Sequence, residues 1–67
     1  MKLIVNGQHC TLENPAATVT DLVVHLKLTG RPVAVEVNRT LIPKRQHADH
    51  ALHEGDNIEV VTLVGGG

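Results

Sequence analysis

Phenylalanine, tyrosine and tryptophan are all missing from this chain of 67 residues. Its core must be built from Val, Leu and Ile, and it offers no ring on which nucleic-acid bases could stack. Basic charge is also scarce. Six Lys and Arg against seven Asp and Glu leave a formal charge of −1. No basic stripe is present to neutralise phosphates, so neither DNA nor RNA is an expected partner. No apolar run approaches the roughly 20 residues of a membrane-spanning helix, so no membrane role is expected. The opening MKLIVNGQHC has one Lys and a short apolar run, which does not read as a signal peptide. Cys10 is the single cysteine, which excludes an internal disulfide framework. A cytoplasmic, reducing location is the expectation. The length allows one domain with a thin stability margin and no deep cleft. An enzyme with a buried active site is therefore not expected.

What the chain does have is alternation. Leu3 and Val5 face one way, and Lys2, Ile4 and Asn6 the other, as in a strand. Asn6-Gly7 is a strong hairpin signal, because both residues tolerate positive φ. A second strand follows from Gln8 to Glu13, with Cys10 and Leu12 inward. Asn14-Pro15 breaks the pattern. Thr18 reads as a helix N-cap with Asp21 answering it in a capping box. Val19, Leu22, Val23 and Leu26 then form one apolar helical stripe. Lys27 suits the negative helix end, Gly30 is the expected left-handed terminator, and Pro32 prevents continuation. Val33, Val35 and Val37 mark a third strand, Asn38-Arg39-Thr40 a turn, and Thr40-Leu41-Ile42 a short strand stopped by Pro43. Lys44 to Leu52 reads as a polar loop with a helical turn. Glu54-Gly55-Asp56 turns into a last strand, Asn57 to Val64.

This order predicts an α+β fold of the β-grasp (ubiquitin-like) type. A mixed sheet of four to five strands packs on one main helix, and the last strand runs parallel to the first. The domain is expected over residues 1–64, followed by a flexible glycine tail at 65–67.

The last strand has an uneven pattern. Ile58 and Val60 face the helix, because Glu59 between them would be costly to bury. Val61 and Leu63 are then left on the solvent face, where Ile4 and Ala34 also point by alternation. With Glu36 and Glu59 as a rim, Ile4, Ala34, Val61 and Leu63 make a candidate partner-docking patch.

The chain ends in Gly65-Gly66-Gly67. A terminal glycine run is ordinarily a linker or a frayed end. Here it follows directly on a strand. Glycines without a Cβ pass through channels that exclude other side chains, and three extended residues reach roughly 10 Å. A terminal carboxylate is then deliverable to another protein's active site. A carboxylate is a poor electrophile until ATP converts it to an acyl-adenylate, from which AMP leaves readily. A sulfur nucleophile then gives a thioester or thiocarboxylate, and an amine gives an isopeptide. The chain has no phosphate-cradling loop of its own, so a partner enzyme must use the ATP.

The whole chain resembles the ThiS family of sulfur carriers in thiamine biosynthesis. The likeness rests on LIVNG, VAVEVNRTLIPK, EGDNIEVV and the VGGG ending. The resemblance implies that the Gly67 carboxylate is adenylated by a ThiF-type adenylyltransferase and converted to a thiocarboxylate. A sulfur donor protein supplies the sulfur, which passes to thiazole synthase. Gly66 and Gly67 match the family's diglycine, and Gly65 a third glycine many members have. The chain would then be a protein co-substrate and not an enzyme, with no tightly bound cofactor. The MoaD-like small subunit of molybdopterin synthase shares these features but is generally longer. A ubiquitin-like interaction module that is never conjugated is the alternative of a different class.

Other residues have plainer readings. His47, His50 and His53 form an H-x2-H-x2-H run. At helical spacing these three do not share one face, and they read as solvated loop histidines rather than a metal site. Cys10 points to the core as a small hydrophobe. Glu13 with Asp21, and Glu54 with Asp56, read as cap and turn residues rather than acid–base pairs.

Overall fold

The computed structural model describes residues 1–63. Five strands and one helix follow in the order β1 (Lys2–Val5), β2 (Gln8–Thr11), α1 (Val19–His25), β3 (Val33–Val37), β4 (Thr40–Ile42) and β5 (Asn57–Thr62). A 3-10 turn lies at Lys44–Gln46. The strands form one sheet in the order β2-β1-β5-β3-β4. β5 pairs in parallel with β1, and every other pairing is antiparallel. This is the expected β-grasp, with the last strand at the centre of the sheet. β2 stops at Thr11, two residues short of the predicted end.

Alternation decides the faces. Leu3, Val5, Val35, Val37, Ile42, Ile58 and Val60 are buried and join one core cluster with Leu12, Val19, Leu22 and Leu52. Leu22 is fully buried, a side chain whose removal from water is worth about 2–3 kcal/mol. Two tight turns set the register. Asn6 and Gly7 (φ 51° and 80°) join β1 to β2, and Asn38 and Arg39 (φ 50° and 69°) join β3 to β4.

The N-terminus of α1 is closed twice over. Thr18 and Asp21 form the predicted capping box. The amides of Val19 and Thr20 donate to the carbonyls of His50 and His47, at 3.0 and 3.1 Å. The orphan donors of the first turn are thereby satisfied by the histidine loop.

Two expectations are corrected here. The left-handed residue that ends α1 is Lys27 (φ 62°), not Gly30. The amide of Leu28 bonds the Val23 carbonyl and that of Lys27 the Val24 carbonyl, which is a Schellman closure. It carries Leu28 onto the core beside Val23. Gly30, also at positive φ, serves the following turn, closed by Arg31 N–H to the Leu28 carbonyl at 3.0 Å. The second correction concerns His47, which is buried at 7% exposure rather than solvated. Its Nε2 donates to the Ile42 carbonyl at 2.9 Å, a main-chain acceptor just beyond which Pro43 ends the strand.

Candidate functional site

β5 delivers the glycine-rich end of the chain, and polar side chains from two turns hold it in place. The Asn6 amide brackets Val60, accepting from its N–H at 2.8 Å and donating to its carbonyl at 3.1 Å. It prolongs the β1–β5 pairing beyond the last residue of β1, because the left-handed turn leaves its side chain alongside β5. At the other end, Asn38 accepts from the Asn57 N–H at 2.9 Å and donates to Asp56 at 3.0 Å. Asp56 in turn accepts from the His53 N–H at 2.8 Å. On the far side, Leu63 N–H donates to the Pro32 carbonyl at 2.9 Å. The root of the chain end is thus bonded to both neighbouring strands or their extensions. Gly65, Gly66 and Gly67, with Val64 and the 64/65 domain boundary, lie outside the described residues.

The open face of the sheet carries the candidate patch. Val61 and Leu63 are 56% and 51% exposed. Ala34 lies directly opposite Val61 across the β3–β5 pair. Glu36 lies directly opposite Glu59 in the same pair, an arrangement in which like charges repel. Ile4 stands apart. It is in register with Asn57, four residues from Val61 along β5, or roughly 13 Å. The register therefore groups Ala34, Val61 and Leu63, sets the two carboxylates next to them, and leaves Ile4 beyond.

Leu41 was missed. It lies opposite Glu36 across the β3–β4 pair and is 61% exposed, so it extends the apolar surface on the far side of the acidic pair. Alternation was the available signal, because Ile42 inward forces Leu41 outward. Arg39 also approaches this face, lining a shallow hollow with Asn38, Asn57 and Glu59.

Among the described residues no group of three or more His, Cys, Asp or Glu side chains is placed to hold a metal ion. Cys10 is half-buried against the core. Among them, too, no helix is long and apolar enough to cross a membrane. The geometry offers an exposed apolar face around two apposed carboxylates and, beside it, a firmly held β5.

Comparison with known proteins extends this geometry. The model of the ThiS family matches residues 3–67. The sulfur carrier protein ThiS of Bacillus subtilis is 34% identical over 65 residues, covering 97% of this chain and 98% of that protein. A thiazole synthase of Paramagnetospirillum magneticum is 39% identical over all 67 residues, and the chain spans only a fifth of its length. The crystal structure of a thiamine biosynthesis protein (ThiS) from Geobacter metallireducens superposes with a TM-score of 0.83 at 30% identity, covering both chains completely.

Proposed function

The chain belongs to the ThiS family, and from that premise we propose that it is a cytoplasmic sulfur carrier of thiamine biosynthesis. It acts as a co-substrate of other enzymes. The observation that carries this reading is the reach of the family match, which runs through the closing glycines to residue 67.

The chemistry takes place at Gly67. A carboxylate oxygen attacks the α-phosphorus of ATP held by a ThiF-type adenylyltransferase, and the bond to pyrophosphate breaks. The acyl-adenylate is then attacked at carbon by the terminal sulfur of a donor protein's persulfide; the C–O bond breaks and AMP leaves. A second thiol cleaves the S–S bond to the donor, forming a disulfide, and the thiocarboxylate is released. At the thiazole synthase the sulfur passes to the bound acceptor as the C–S bond breaks, and an oxygen from water takes its place and restores the carboxylate. Gly65 and Gly66 supply the slender backbone that enters each partner's site, where a Cβ would obstruct.

The described part of the chain does the positioning. Asn6 and Asn38 hold β5, so the root of the end is presented at a fixed place on the sheet. Ala34, Val61 and Leu63 give a partner apolar area, and Ile4 adds to it further along the face. Glu36 and Glu59 offer that partner's cations a pair of acceptors, which relieves their mutual repulsion.

ATP–pyrophosphate exchange by a purified ThiF-type adenylyltransferase tests the first step. Exchange should depend on the chain and vanish when Gly67 is deleted or when Gly66→Ala places a methyl in the channel, with the thermal melt of both variants unchanged. Full exchange with the Gly67 deletion contradicts the proposal.

A further inference from the structure

Successive residues of a strand turn their main-chain groups to opposite sides of it. Along β5, Glu59, Val61 and Leu63 turn theirs to β3, ending with Leu63 N–H on the Pro32 carbonyl at 2.9 Å. Pro32 has no N–H to return to the Leu63 carbonyl, so β3 carries the pairing no further. Ile58 and Val60 turn their groups to β1. The Ile58 carbonyl accepts from the Asn6 N–H at 2.9 Å, and the Asn6 side chain takes both groups of Val60. Thr62 comes next on that side. The register of β1 with β5 ends at Val5 and Ile58, and the chain then turns away at Asn6 and Gly7. Among the described residues no strand therefore lies against the exposed Thr62 N–H and carbonyl. Next to this open edge is a hollow of about 340 Å³, lined by Asn6, Val60 and the half-buried Leu26 and Leu28.

Resting on the reading of the chain end as the group that is activated, we infer that the edge of β5 beyond Asn6 takes an added strand, an extended main-chain segment of the adenylyltransferase. An unpaired strand edge is a template for such a segment. The glycine run fixes the chemistry of the occupant. Gly65, Gly66 and Gly67 have no side chains, so an enzyme that holds them has only N–H and carbonyl groups to grip. Pairing that begins at Thr62 breaks no bond of the domain, whereas pairing on the other side would displace β3 from Val61. Alternate side chains of the added strand turn to the helix side of the sheet, where the hollow between Leu26, Leu28 and Val60 accepts an aliphatic one. Asn6 marks the place where the domain's own pairing stops and the partner's begins.

Amide hydrogen exchange followed by NMR reads the edge directly. In the free chain the Thr62 amide should exchange at least about tenfold faster than that of Val61, and in complex with a purified ThiF-type adenylyltransferase it should slow by about tenfold or more. Thr62→Pro removes the same N–H at a position where the sheet does not use it. Its circular dichroism melt should stay cooperative, and calorimetric titration should show Kd for the adenylyltransferase raised about tenfold. Slow exchange at Thr62 in the free chain, unchanged exchange there in the complex, an unchanged Kd, or loss of the cooperative melt in Thr62→Pro overturns the added strand and leaves the carrier reading standing. A wild-type chain that neither binds the adenylyltransferase nor supports ATP–pyrophosphate exchange sinks both.

Discussion

The two faces of the sheet are made from the same residue types and have opposite fates. Val60 is buried and its neighbour Val61 is more than half exposed. On the inner face Leu3, Val35 and Ile58 are sealed against α1. On the open face Leu41, Val61 and Leu63 stand in water around two apposed carboxylates. A sheet needing stability alone would carry polar residues on its solvent side. The difference separates what folds the molecule from what it shows to others, and that separation can be broken one residue at a time.

The largest effect belongs to the inner face. Ile58→Ala should cost about 2–5 kcal/mol through lost burial and a residual cavity, enough to abolish a cooperative urea transition in so small a domain. Val61→Ala, on the open side of the same strand, should stay within about 0.5 kcal/mol of wild type. Similar losses at both positions would erase the distinction. Asn6→Ala comes next. It leaves the Val60 N–H and carbonyl without their partners and should cost about 1–3 kcal/mol, read from the urea midpoint. A neutral result would mean that water replaces the bracket without loss.

Leu63→Lys sharpens the comparison from the other side. It should weaken adenylyltransferase binding about tenfold, or roughly 1.4 kcal/mol, with an unchanged melt. Unaltered affinity would remove Leu63 from the docking face. A small gain, rather than a loss, is expected at the helix end. Lys27→Gly relieves a side chain held at positive φ and should stabilise the domain by about 0.5–1 kcal/mol, seen as a raised melting temperature.

Much of this was legible from local patterning. The Val60/Val61 division follows from Glu59, and the capping box from Thr18 and Asp21, because each depends on residues close in sequence. The Asn6-Gly7 turn was legible too, but the hold of Asn6 on Val60 was not, since 54 residues separate them. The same limit applies to the histidine loop. Its contribution to α1 comes from the carbonyls of His47 and His50, and no side-chain pattern announces a carbonyl. At the end of α1 the glycine signal pointed to Gly30, and packing of Leu28 beside Val23 outweighed it by forcing Lys27 left-handed. For the candidate site, alternation sorted residues onto the open face. Which of them are neighbours depended on strand register, and that is why Ile4 lies apart from Val61 while Ala34 lies against it.

Intact-mass spectrometry of the purified chain, after incubation with a ThiF-type adenylyltransferase, ATP and a sulfur donor, bears most directly on the claim that the closing carboxyl is the reactive group. The account predicts a gain of about 16 Da, oxygen replaced by sulfur, with fragmentation placing it on Gly67. An unchanged mass with partners shown to be active, or a gain located anywhere else in the chain, would contradict it.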